Sequence, residues 1–177
     1  MSALASPAPS ADPGAASPTA QLIVHFITSI REVLRTMANV TVTVGAPALK
    51  KTPLTSYDVS GIIGFSGQFV GSMVLSFQQS TAEAIVNSFA GMPIAPNSPD
   101  FADAVGELAN MIAGSAKTSF GGGTNISVPS IVMGPGHTVA RLHDVPCLII
   151  PCHTAAGDFA VEVNIKPLHA APPAPRS

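Results

Sequence analysis

From Val59 to Phe77 every odd position is apolar or glycine (Val59, Gly61, Ile63, Phe65, Gly67, Phe69, Gly71, Met73, Leu75, Phe77), while the even positions are mixed and include Ser60, Ser66, Gln68, Ser72 and Ser76. A side-chain period of two belongs to strands with one buried face. The pattern predicts a β-hairpin in which Ser66, Gly67 and Gln68 form a three-residue loop, Phe65 lies opposite Phe69, and both arms turn their odd residues to one side. That side needs cover, and the flanking segments supply it. Between Thr19 and Met37 the residues Leu22, Ile23, Phe26, Ile27, Ile30, Val33, Leu34 and Met37 recur at three- and four-residue steps, which predicts an amphipathic helix. Val40, Val42 and Val44 alternate with Thr41 and Thr43 as in a strand, before a loop around Pro47 and Pro53. Ser80 or Thr81 opens a short helix through Ala90, with Gly91 at the C-terminal cap and Pro93 just beyond. After Pro96, Asn97, Ser98 and Pro99 a longer helix is expected from about Pro99 to Phe120, ended by Gly121, Gly122 and Gly123. Strand-like stretches follow at 126–133, 137–151 and 158–166. The expected class is α+β, a mostly antiparallel sheet with helices packed on one face.

The body of this domain is expected at 20–166, between Ala/Pro/Ser-rich tails at 1–19 and 167–177 that hold 8 of the 17 prolines and are expected to be disordered. With 46% hydrophobic and 10% charged residues the chain is too apolar to be disordered as a whole. Net charge is -2, and the eight Lys and Arg residues are scattered, which argues against nucleic-acid binding. No apolar run reaches the roughly 18 residues of a membrane helix, and the N-terminus lacks the charged start and apolar centre of a secretory signal. A cytoplasmic location is expected. Cys147 and Cys152 are five apart in a stretch that reads as extended, so their side chains point to opposite faces, and both are expected to be buried free thiols.

The helix expected after Pro99 carries the chemistry. At about 100° per residue, Phe101, Val105, Leu108 and Ile112 share one side, while Asp100, Asp103, Glu107, Asn110, Gly114 and Lys117 form the stripe opposite. Asp100 and Asp103 in the first turn and Lys117 in the last suit the helix dipole. Glu107 and Asn110 have no such explanation, and they are flanked by Gly106 and Gly114, each costing about 1 kcal/mol against alanine inside a helix. The glycines suggest close backbone approach. The plain alternative is a solvated polar face with two tolerated glycines.

The string DAVGELANMIAGSAK, with Asp103-x3-Glu107-x2-Asn110-x3-Gly114, resembles the signature helix of the CheC/CheX/FliY phosphatases of bacterial chemotaxis. The order of N-terminal helix, strand, glycine-rich hairpin, short helix, signature helix and terminal strands resembles the CheX branch across roughly residues 20–167. Some CheC-like members carry the signature twice; here the earlier helix reads STAEAIVNSFAG, with Glu83 and Asn87 four apart instead of three, so both are read as ordinary surface residues. One site per chain fits CheX. The family pattern also has a proline downstream, for which Pro129 is the nearest candidate.

The resemblance implies a protein substrate, the phospho-aspartate of a CheY-like receiver domain. Asn110 and Glu107 are then the catalytic pair, and Asp103, Gly106, Glu107, Gly114 and Lys117 face the partner. No cofactor is expected on this chain, since the Mg²⁺ belongs to the receiver, and relatives of this kind imply a homodimer. Two rivals stand beside this reading: a module of the same fold that binds a receiver without catalysis, and a dimerisation domain whose signature helix is merely exposed.

Other constellations are weaker. His137, His143, Cys147, Cys152 and His153 are dense, yet none shows the C-x2-C or H-x3-H spacing of a zinc site. Gly121–Gly123 lack the lysine and hydroxyl residue of a phosphate loop, and no serine sits in a G-x-S-x-G context.

Overall fold

The computed structural model describes residues 18–168, with side chains from Gln21 onward. The predicted tails lie outside the described residues except for Pro18, Thr19, Pro167 and Leu168. In chain order the elements are α1 (Pro18–Met37), β1 (Thr43–Val44), β2 (Ala48–Leu49), β3 (Val59–Gly67), β4 (Phe69–Phe77), α2 (Gln79–Ala90), α3 (Pro99–Thr118), β5 (Thr124–Ile126), β6 (Ser130–Met133), β7 (Leu148–Thr154) and β8 (Gly157–Pro167). Among the described residues the strands form one eight-stranded sheet in the order β1-β7-β8-β4-β3-β5, with β2 also on β7 and β6 also on β3. Every pairing is antiparallel.

The odd residues of β3 and β4 do share one face. Val59, Ile63, Met73, Leu75 and Phe77 are fully buried there, joined by Phe159 and Val161 from β8 and by Ile150 and Cys152 from β7. The helices cover this face. α1 contributes Phe26, Ile30 and Leu34, and α3 contributes Phe101, Val105, Leu108 and Ile112, all without exposed surface. Burying each such side chain contributes roughly 1.5–3 kcal/mol, so the apolar stripes determine how each helix is rotated about its axis. A Ser29 Oγ–H to Ser115 Oγ bond of 3.0 Å adds a polar pin between α1 and α3.

The hairpin register differs from the expected one. Phe65 pairs with Gly71, not Phe69. Gly67 takes φ +96°, which an L side chain rarely adopts, and remains paired as a strand residue with Thr124 of β5. The turn therefore tightens onto Gln68, whose N–H donates to the Gly123 carbonyl at 2.9 Å. A slip of two preserves the faces, which is why the core reading survives it.

Other expected strands are shorter. The stretch 126–133 is broken by Ser127–Pro129 into β5 and β6, because proline brings no N–H to a ladder. Within 40–44 only Thr43 and Val44 pair, and α3 stops at Thr118, two residues before Phe120. The segment expected as a strand at 137–151 is irregular until Leu148. There the loop crosses the sheet face opposite the helices, and side chains take over the role of a ladder: Asn164 Oδ1 accepts from Leu142 N–H at 2.8 Å, and Asn164 Nδ2 donates to the Val145 carbonyl at 2.8 Å. The even positions beneath are thus interior. Ser60, Ser76, Glu162 and Asn164 are all buried, and Glu162 is held by Lys50 at 3.0 Å, by Arg141, and by the Ser56 N–H and hydroxyl.

Candidate functional site

α3 begins with a strong local start signal. Ser98 is extended and accepts the Phe101 N–H on its Oγ at 3.2 Å, while Pro99 occupies a position where a missing N–H costs nothing. The far end closes with Ser119 N–H on the Ala116 carbonyl at 3.1 Å. Between these ends lies close contact with β3, where Gly61 leaves room: a Cβ there would stand 2.9 Å from the Ala109 methyl. The helix is held at its start, along its base, and through Ser115.

Its outward stripe is the one expected. Asp103 and Glu107 are exposed, and Asn110, Gly114 and Lys117 are half-buried. Among the described residues neither Glu107 nor Asn110 has a hydrogen-bond or ion-pair partner. From Asp103 to Gly114 the stripe spans roughly 16 Å at 1.5 Å per residue. At Gly114 the nearest atom to an added Cβ is Ile126 Cδ1 at 3.9 Å, so the backbone there is open to an approaching surface.

Gly106 leaves the expected partner-facing set. It is buried, and an added Cβ would stand 3.1 Å from Pro129 Cγ and 3.5 Å from Ile131 Cδ1. The close approach suggested by that glycine is satisfied within the chain, by the link between β5 and β6. Pro129 is thereby seated against the signature helix.

The earlier helix behaves otherwise. Asn87 Oδ1 accepts the Ile94 N–H at 2.8 Å, and Glu83 accepts from Gln79 Nε2 at 2.8 Å. Both polar groups are used locally.

The histidines and cysteines do not converge. His137 bridges the Gly134 carbonyl (2.8 Å) and Ser60 Oγ (2.9 Å), while His153 meets Asp158 at 2.7 Å. Cys147 and Cys152 are both free and buried, and desolvation pushes the Cys152 thiol up to about 12 and raises Cys147 as well. Thiols so shifted stay protonated and unreactive near neutrality. Among the described residues no group of three or more His, Cys, Asp or Glu is arranged to hold a metal ion, and no helix is long and apolar enough to cross a membrane.

A cleft of about 670 Å³ lies between α2 and the β1–β7 edge, lined by Asn39, Thr43, Ser88 and His153 among others, away from Glu107 and Asn110. The signature residues instead stand on the outer surface of a helix. Such a surface suits a macromolecular partner with a cleft of its own better than a small ligand, which needs enclosure.

One part of this surface is not evident from periodicity. The β5–β6 link, read above as mid-strand, is anchored by Ser127, whose N–H donates to the Gly64 carbonyl (2.9 Å) and whose Oγ accepts the Gly64 N–H (2.9 Å). Pro129 inside an apparent strand was the signal available.

Comparison with known proteins bears on family and fold. The family model described as chemotaxis phosphatase CheX matches residues 59–153. The fold is similar to chemotaxis protein CheX from Desulfovibrio desulfuricans, at 34% identity and a TM-score of 0.76 over 84% of this chain and 99% of that one. It is also similar to CheX from Vibrio vulnificus, at 30% identity and 0.75 over 83% and 100%. A chain of the CheX–CheY–BeF3–Mg complex from Borrelia burgdorferi shares the fold at 24% identity and 0.68, over 82% and 97%. Comparison with curated proteins gives no match.

Proposed function

The chain belongs to the CheX family of chemotaxis phosphatases, and from that premise we propose that it hydrolyses the phospho-aspartate of a CheY-type receiver domain by inserting the outward stripe of α3 into the receiver's active site. The observation that carries this reading is the free amide of Asn110, one turn beyond the free carboxylate of Glu107, on a helix whose base is locked into the core. The choice of partner follows the Borrelia burgdorferi complex, in which a protein of this fold is joined to CheY.

In phosphoryl transfer little is required of the protein beyond positioning and charge stabilisation. The receiver brings its own Mg²⁺ and lysine, so the missing part is an oriented water. Asn110 accepts a hydrogen bond from that water through its amide oxygen and holds it in line with the phosphorus. Being neutral, it does so without the repulsion that a carboxylate would suffer beside the phosphoryl oxygens. Glu107 pairs with the receiver lysine in a charge-assisted bond that docks the helix and sets the depth of Asn110. Asp103 and Lys117 border the docking stripe.

The test is to mix the protein with phosphorylated receiver and Mg²⁺ and to follow phosphate release beside a binding measurement. A saturable acceleration over the receiver's own rate is expected. Binding without acceleration would overturn catalysis and leave a receiver-binding module. A homodimer, which leaves this helix face free, is part of the same proposal; sedimentation velocity giving the mass of one chain would remove it.

A further inference from the structure

We infer that Val128 is a second docking element, an apolar contact that seats the receiver beside Asn110; this deepens the proposed function and rests on it. A single exposed valine is ordinary in itself. Val128 is set apart by where it stands and how firmly it is held.

Its level along α3 follows from the packing on either side of it. Pro129 and Ile131 pack on Gly106, while Ile126 is the neighbour of Gly114. Between those two helix positions lies Asn110, and between Ile126 and Pro129 lie Ser127 and Val128. The lengths agree, since three extended residues cover roughly 10 Å and eight helical residues roughly 12 Å. Val128 is therefore level with the amide, on the flank of the helix nearest the sheet edge.

Among the described residues it is also the most exposed of the large apolar side chains, at 84%. The clamp beneath it is stiff. Ser127 exchanges two 2.9 Å bonds with the Gly64 backbone, the Ser127 hydroxyl donates to the Val128 carbonyl at 2.7 Å, and proline follows at 129. A side chain held out on such a support loses little entropy on being covered, which makes it an effective anchor. Met133, 44% exposed, continues the apolar flank two residues past Ile131.

Together the surface presents two acids, Asp103 and Glu107, then a neutral amide with an apolar foot beside it. It fits a partner whose phosphoryl site has a lysine on its rim and an apolar patch on its flank. The acids choose the charge, and Val128 adds contact that does not depend on it.

The experiment uses the full chain, with the receiver that the parent dephosphorylates fastest in a panel of CheY-type receivers, loaded with Mg²⁺ and beryllofluoride for binding. Val128→Asp should weaken binding about tenfold or more, and Val128→Ser should weaken it by less. Turnover at saturating receiver should stay within about twofold of the parent, so that the effect falls on KM and not on kcat. Circular dichroism and thermal unfolding should match the parent for both variants. Leu49→Asp, on the opposite sheet edge, is the control and should bind as the parent does. Unchanged binding for Val128→Asp and Val128→Ser, with an active parent, overturns this proposal and leaves the phosphatase reading standing. A parent that neither binds nor accelerates any receiver overturns both.

Discussion

α2 and α3 are neighbouring helices that each carry a glutamate and an asparagine on an outward surface, and they put them to different uses. On α2, Asn87 caps the backbone of Ile94 and Glu83 receives the Gln79 amide. On α3, Glu107 and Asn110 keep their hydrogen-bonding capacity free while the helix beneath them is buried and pinned. A polar group already satisfied by its own chain has no bond left to offer a visitor. An unsatisfied one on a rigid support is prepared for a partner without further ordering, and this is the difference between the two helices on which the proposed function rests.

The contrast can be broken most forcefully at Asn110. Asn110→Ala is expected to reduce receiver dephosphorylation by about a hundredfold or more, since in the proposed mechanism this side chain places the nucleophile. Binding and thermal stability should be close to the parent, and retained turnover would remove the residue from the mechanism. Glu107→Ala comes next. Loss of the proposed charge pair with the receiver lysine should cost about 2 kcal/mol or more, or roughly thirtyfold in Kd for beryllofluoride-loaded receiver. Tight binding by that variant would dismiss the ion pair.

Gly114→Leu tests whether the open backbone matters. An added Cβ meets nothing closer than Ile126 Cδ1 at 3.9 Å in the free protein, and replacing a mid-helix glycine should raise stability by up to about 1 kcal/mol. Docking should weaken about tenfold through steric exclusion, so an unaltered KM would count against insertion of this face. At the lower end, Asn87→Ala should destabilise the fold by about 1 kcal/mol, measured by denaturant unfolding, because the Ile94 N–H loses its acceptor. Its phosphatase activity should be unchanged; a loss of turnover there would erase the distinction between the two helices. Glu83→Ala, removing one exposed bond to Gln79, should shift stability by only a few tenths of a kcal/mol.

Much of the architecture was legible because it obeys short-range rules. The period-two run from Val59 to Phe77 identified both strands and their common face, and the three- and four-residue steps located α1 and the buried side of α3. Ser98-Pro99 and Gly91 marked boundaries that the structure keeps. The misreadings share one cause. In 137–147 the chain has the composition of a strand, yet Asn164, distant in sequence, satisfies its backbone groups and leaves it irregular. Glu162 and Asn164 sit at alternating positions of β8, and loops from two other regions bury them. Gly67 gives no sign in the sequence that β5 will pair beyond it and tighten the turn.

For the site, the division is equally physical. Helical periodicity alone settled that Asp103, Glu107, Asn110 and Gly114 face away from Phe101, Leu108 and Ile112, because the angle between side chains on a helix is a local quantity. Which of two glycines meets the chain's own proline, which of two asparagines has its amide already engaged, and which valine stands beside the free one were decided by neighbours brought together only when the sheet and helices packed. Those are long-range matters, since a hydrogen bond or a van der Waals contact depends on where the other atom is and not on the spacing along the chain.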